Sequence, residues 1–153
     1  MESQVELAEK MVRFMKYLPS GADHTLVVLK GHLLIEELLT DLLKEKLKRN
    51  NPLGIKIDQN NMFAQKLNLC WAIVQEDIKF EIWPFLKELN SIRNKMAHAV
   101  DPQGISEKIE AFTEMVSSYE HYVMPKSRGS DLEFSIAWLH IILGQYLHHV
   151  KNS

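Results

Sequence analysis

Apolar residues recur at three- and four-residue spacing along nearly the whole chain, the period of helices buried on one side, and nothing reads as a series of strands. Six helical stretches follow. The first covers about Val5 to Leu18 and stops at Pro19-Ser20-Gly21. The second runs from about His24 to Arg49, with Asp23 as its N-cap. Val28, His32, Ile35, Leu39 and Leu42 form one stripe of it, and Leu29, Leu33, Leu43 and Leu47 lie beside them. An apolar arc that wide implies several packing neighbours. Gly31 interrupts it, which points to another backbone passing close by. After a longer connection around Asn50-Asn51-Pro52-Leu53-Gly54, a third helix is expected from about Met62 to Gln75. The fourth starts near Trp83-Pro84 and ends before Pro102, because the residue preceding proline avoids helical angles. Ser106 is read as the cap of a fifth helix reaching about Val123, with Pro125 after it. Ser130-Asp131-Leu132-Glu133 matches a capping box and opens a sixth, to about Val150. No repeat or dividing linker appears, so the expectation is a single all-α, up-and-down bundle over residues 1–153, with a core at about 23–123 and a C-terminal helix at about 131–150.

Composition narrows the function more than the fold. Hydrophobic residues at 46% and charged residues at 25% are ordinary for a folded globular chain, and a net charge of -2 argues against coating nucleic acid non-specifically. Any RNA site must then be a local patch. The basic end of the second helix (Lys44, Lys46, Lys48, Arg49) suits a helix C-terminus or, less simply, steers RNA. Cys70 sits in an apolar run as a small hydrophobe, and a lone cysteine fits a reducing, cytoplasmic setting. The start of the sequence lacks signal-peptide character, and the stretch from Phe134 to Leu147 is short for a bilayer span, so no membrane role is expected. The sixth helix is unusually apolar and either completes the core or binds a partner. Trp71, Trp83 and Trp138 lie among apolar neighbours and read as core or dimer-interface residues.

The segment richest in chemistry is Leu89-Asn90-Ser91-Ile92-Arg93-Asn94-Lys95-Met96-Ala97-His98. Leu89, Ile92 and Met96 face the core. Asn94 and His98 are four apart and share a polar face. Arg93 points roughly 140° from His98 on a regular helix, an angle its long side chain partly closes. RNA cleavage without a metal needs a base for the ribose 2′-hydroxyl, charge stabilisation at phosphorus and an acid for the leaving 5′-oxygen. Histidine suits proton transfer near neutrality and arginine suits the phosphate. One His98 cannot easily act as both base and acid, so the mechanism asks for a symmetric dimer. The simpler reading makes Arg93, Asn94 and His98 ordinary helix-terminal residues. The seven histidines form no recognisable metal motif, and His32, on an apolar stripe, reads as a hydrogen-bonded core residue.

Arg93-Asn94-x-x-Ala97-His98, following an apolar turn in the fourth helix, resembles the R-x4-6-H signature of the HEPN superfamily. Gly31-His32-Leu33-Leu34-Ile35-Glu36-Glu37-Leu38-Leu39 is similar to the long second helix of its mannitol-repressor-like branch. The resemblance spans roughly residues 23 to 120. It implies a helical bundle that dimerises through the motif-bearing helices and a metal-independent endoribonuclease with no cofactor, of the kind found in toxin–antitoxin and phage-defence systems. Arg93 and His98 would be the catalytic pair and Asn94 the polar residue after the arginine, with Glu36 or Glu37 as the supporting acid. RNA, a second copy and a cognate antitoxin or regulatory protein would be the partners. The alternative within the same resemblance is a non-catalytic regulator or scaffold, as in transcriptional control, acting through a partner protein.

Overall fold

Ser3 and Ser130 show how local chemistry sets the helix starts. Each hydroxyl accepts a hydrogen bond from the backbone N–H three residues on (Glu6, 3.1 Å; Glu133, 3.2 Å), and each glutamate accepts one in return from the serine N–H. Asp23 plays the same capping part more simply, accepting from the Leu26 N–H at 3.0 Å. The computed structural model describes residues 2–153 except 20, 22, 59, 75–80 and 125–128. It contains α1 (Gln4–Tyr17), α2 (His24–Leu47), α3 (Phe63–Val74), α4 (Trp83–His98), α5 (Ile105–Ser117) and α6 (Asp131–Asn152), with no strand among the described residues. The chain is an all-helical bundle, and none of its helices is long and apolar enough to cross a membrane among the described residues.

Three boundaries depart from expectation for identifiable reasons. Gly104, at φ +75°, turns the chain into α5, so Ser106 falls inside the first turn and no side chain caps the helix. At the other end α5 closes at Ser117, short of Val123. The backbone tightens there, with Tyr119 N–H bonding to Val116 C=O and Tyr122 N–H to Tyr119 C=O. This places both tyrosine rings edge-on to Trp138, with centroids 5.8 and 5.4 Å away. α2 stops at Leu47 because Arg49 turns across to α6, donating to the Val150 and Ser153 carbonyls. The expected end of α3 at Gln75, the proline after α5 (Pro125) and Ser20 of the first stop lie outside the described residues.

The apolar sixth helix is the spine of the core. α6 buries side chains on every side, including Ile136, Leu139, Leu143 and Leu147, and lies against α1, α2 and α5. α2 presses Val28, Ile35, Leu39 and Leu42 into the same core and carries α3 and α4 on its other flank. Trp83 and Trp138 are buried and Trp71 packs against the core more peripherally. Leu33, expected beside the α2 stripe, is instead 56% exposed, and Leu26 is 41% exposed.

Gly31 marks where α2 and α6 meet most closely. The approach comes from a side chain, Ile136, and not from a backbone as the sequence suggested. A Cβ on residue 31 would stand 2.7 Å from Ile136 Cγ2 and 3.0 Å from its Cδ1. Gly31→Ala therefore sets an overpacking penalty against alanine's better helix propensity. The expected net loss is about 1–2 kcal/mol, read from urea unfolding. A more stable Gly31→Ala protein would disprove this close approach.

Candidate functional site

α4 divides cleanly by face. Phe85, Leu86, Leu89 and Ile92 are buried, which leaves Asn90, Asn94 and His98, each four residues apart, on the side away from the core. The helix ends at His98, and Ala99 is already extended (φ −149°, ψ 143°). His98 is exposed, Arg93 half-buried, and the Arg93 guanidinium Nη1 donates to Asn94 Oδ1 at 3.2 Å.

Two concavities flank this helix end. The first, about 280 Å³, opens between α2, the segment entering α3 and α4; Arg93, Asn94, Asn90, His32 and Glu36 line it, with Asn60, Asn61 and Phe63 opposite. The second, about 670 Å³ and shallower, is formed by His98, Asn94, Lys95 and Pro102 with their neighbours. Within the chain Arg93 and His98 thus line different concavities, and Asn94 borders both.

The two acidic neighbours on α2 separate in the fold. Adjacent helical residues point about 100° apart, and here that sends Glu37 towards α1. Both its oxygens accept from Arg13, at 2.7 and 3.3 Å. Glu36 points into the Arg93 concavity and is approached at 3.7 Å by Lys66, whose side chain is only 3% exposed. A buried ammonium needs a partner, so removing the Glu36 carboxylate exposes Lys66 to an uncompensated burial cost.

His32 is buried as expected, yet it also reaches this concavity, which periodicity alone did not reveal. Its Nε2 lies 2.9 Å from Asn90 Oδ1 and its ring stacks on Phe63 with centroids 4.1 Å apart. Burial pushes the imidazole pKa below its ordinary value. The hydrogen bond to Asn90 opposes this, and the nearby Arg93 charge reinforces it. The neutral ring donates from Nε2 to the amide oxygen, which fixes the Asn90 side chain at the concavity floor. The four-residue rhythm Asn90-Asn94-His98 was a usable signal for Asn90. Nothing in the sequence placed Asn60 and Asn61, which arrive from a loop.

Other sequence candidates have structural employment. Cys70 is fully buried, burial pushes its thiol pKa far up, and Sγ faces the Leu39 carbonyl at 3.6 Å. In the basic run, Arg49 caps α6 and Lys48 pairs with Glu45 at 3.1 Å. Among the described residues no group of three or more His, Cys, Asp or Glu side chains is placed to hold a metal ion. No family model, curated protein or solved structure matches the chain.

Proposed function

We propose that the chain is a metal-independent endoribonuclease of HEPN type, acting in the cytoplasm as a homodimer and serving as a toxin or phage-defence component held in check by a cognate protein. The observation that carries this reading is the set of polar side chains at the end of α4. A half-buried guanidinium and an exposed imidazole occupy neighbouring concavities joined by Asn94. Arg93 would hold the non-bridging phosphate oxygens. His98 of one protomer would take the 2′-hydroxyl proton as the 2′-oxygen bonds to phosphorus. The protonated His98 of the other would give a proton to the 5′-oxygen as its bond to phosphorus breaks. A second copy brings a second His98, which a single concavity lacks. The exposed Leu26 of α2, which shares a shallow concavity with Leu29 and the partly buried Met96 of α4, offers apolar area for such an approach.

Purified protein is expected to cleave RNA in excess EDTA, leaving a 2′,3′-cyclic phosphate, and Arg93→Ala is expected to lower the rate at least a hundredfold through the lost phosphate contact. A folded dimer that leaves RNA intact overturns the reading. The second reading, a non-catalytic module that regulates or scaffolds a partner, is favoured by the separation of Arg93 and His98 within one protomer. A stoichiometric protein partner with no cleavage would support it.

A further inference from the structure

The concavity beside Arg93 has a lining that a phosphate alone does not account for. Its charged groups are one guanidinium, Arg93, and one carboxylate, Glu36. An anion seated within it would face Glu36, and a cation would face Arg93. The remaining polar groups are the His32 imidazole, already hydrogen-bonded to Asn90, and the amides of Asn60, Asn61, Asn90 and Asn94, which both donate and accept. Such a lining matches a neutral ligand carrying donors and acceptors around its rim. At about 280 Å³ the space sits at the lower end of small-molecule pockets. Met62, 69% exposed at the lip, supplies a polarizable apolar surface for a flat ring.

We propose that this concavity is the subsite for one RNA base next to the scissile phosphate, and that it takes guanine; the inference rests on the endoribonuclease reading. Guanine alone among the four RNA bases presents two adjacent donors, N1–H and the N2 amino group, which a carboxylate accepts as a pair. Adenine and cytosine set a donor beside an acceptor, and uracil sets its N–H between two carbonyls. Glu36, fixed from beneath by the buried Lys66, is the acceptor pair. Guanine O6 needs donors in turn. Asn61 is oriented to give one, because its Oδ1 already accepts from the Asp58 N–H at 2.8 Å and its Nδ2 is left to donate. Asn60, exposed beside it, provides a second amide. Arg93, on the wall opposite Asn60 and Asn61, then stands at the phosphate next to the bound base.

Cleavage of a random-sequence RNA pool by the full chain, with cut sites mapped by sequencing, is expected to show guanine at one fixed position relative to the break. Asn60→Ala, a change at an exposed loop residue, is expected to weaken the preference for guanine over adenine about tenfold. Glu36→Gln is expected to weaken it further where that variant stays folded. In parallel, guanosine 5′-monophosphate is expected to shift the backbone amide signals of Asn60, Asn61 and Phe63 at concentrations at least tenfold below those needed for the adenosine, cytidine and uridine monophosphates. Cutting without base preference, or with another base at the fixed position, overturns the guanine subsite and leaves the ribonuclease reading intact. Selective shifts with guanosine monophosphate but no RNA cleavage overturn the ribonuclease reading and retain the guanine pocket. Neither cleavage nor selective shifts overturn both.

Discussion

His98→Ala is expected to lower RNA cleavage by about three orders of magnitude, within the range that positioned acid–base groups contribute. In a symmetric site the substitution removes the base from one protomer and the acid from the other, so the loss falls on both proton transfers. Stability should hardly change. His98 is exposed at the last position of α4, and Ala99 beyond it is already extended. At most its interaction with the helix C-terminus is lost, below about 1 kcal/mol. Single-turnover cleavage of a labelled RNA, together with a thermal melt of the same preparation, separates the two contributions. An unchanged rate would remove His98 from the chemistry. A large fall in melting temperature would make it structural and favour the regulatory reading.

Acidification is expected to destabilise the fold through His140, a residue remote from α4's polar face. His140 is 5% exposed on α6, its Nδ1 has no hydrogen-bond partner among the described residues, and its ring stacks on Phe14 of α1 with centroids 4.0 Å apart. Burial, then the charges of Arg13 and Lys10, push its pKa down from 6.5 to about 4. The folded value lies below the unfolded one, so between these pH values the unfolded chain binds the proton more readily. Stability contributed by the neutral ring is complete above about pH 6.5 and is lost as pH falls towards 4, a change on the order of 3 kcal/mol. Urea unfolding of the native chain and of His140→Leu, measured from pH 7.5 to pH 4, isolates this contribution. Glu2 and His32 titrate in both proteins and drop out of the comparison. The leucine variant, which also removes the unpaired buried nitrogen, is expected to be about 1 kcal/mol more stable at neutral pH and distinctly less sensitive to acid. Parallel pH curves for the two proteins would contradict the assignment.

Helix starts were the most readable part of this chain, because they depend on neighbours in sequence. Asp23, Pro84 and Ser130 each mark an end by chemistry contained within one turn. Ser106 misled for the same local reason, since a left-handed Gly104 pre-empted it. The exposure of Leu33 was unreadable because periodicity identifies an apolar face without saying whether a neighbour covers it. Within the candidate site, Asn94 and His98 were legible from their spacing. The choice between Glu36 and Glu37 was not. It depends on where Arg13 and Lys66 lie, and both come from other helices. The ring of amides around Arg93 was hidden still more deeply, since Asn60 and Asn61 join it only through tertiary folding.

The contact of Gly31 with Ile136 also bears on how the molecule is assembled. The principal partner of α2 is the last helix of the bundle, so closure of almost the whole intervening chain must precede the packing that holds it. Until α6 emerges from the ribosome, the apolar arc of α2 lacks its principal partner and shelters against α3, α4 and the Leu18 side chain at the end of α1. Nascent chains stopped before Asp131 should therefore remain open to proteases and be retained by chaperones, and acquire resistance only when α6 is complete.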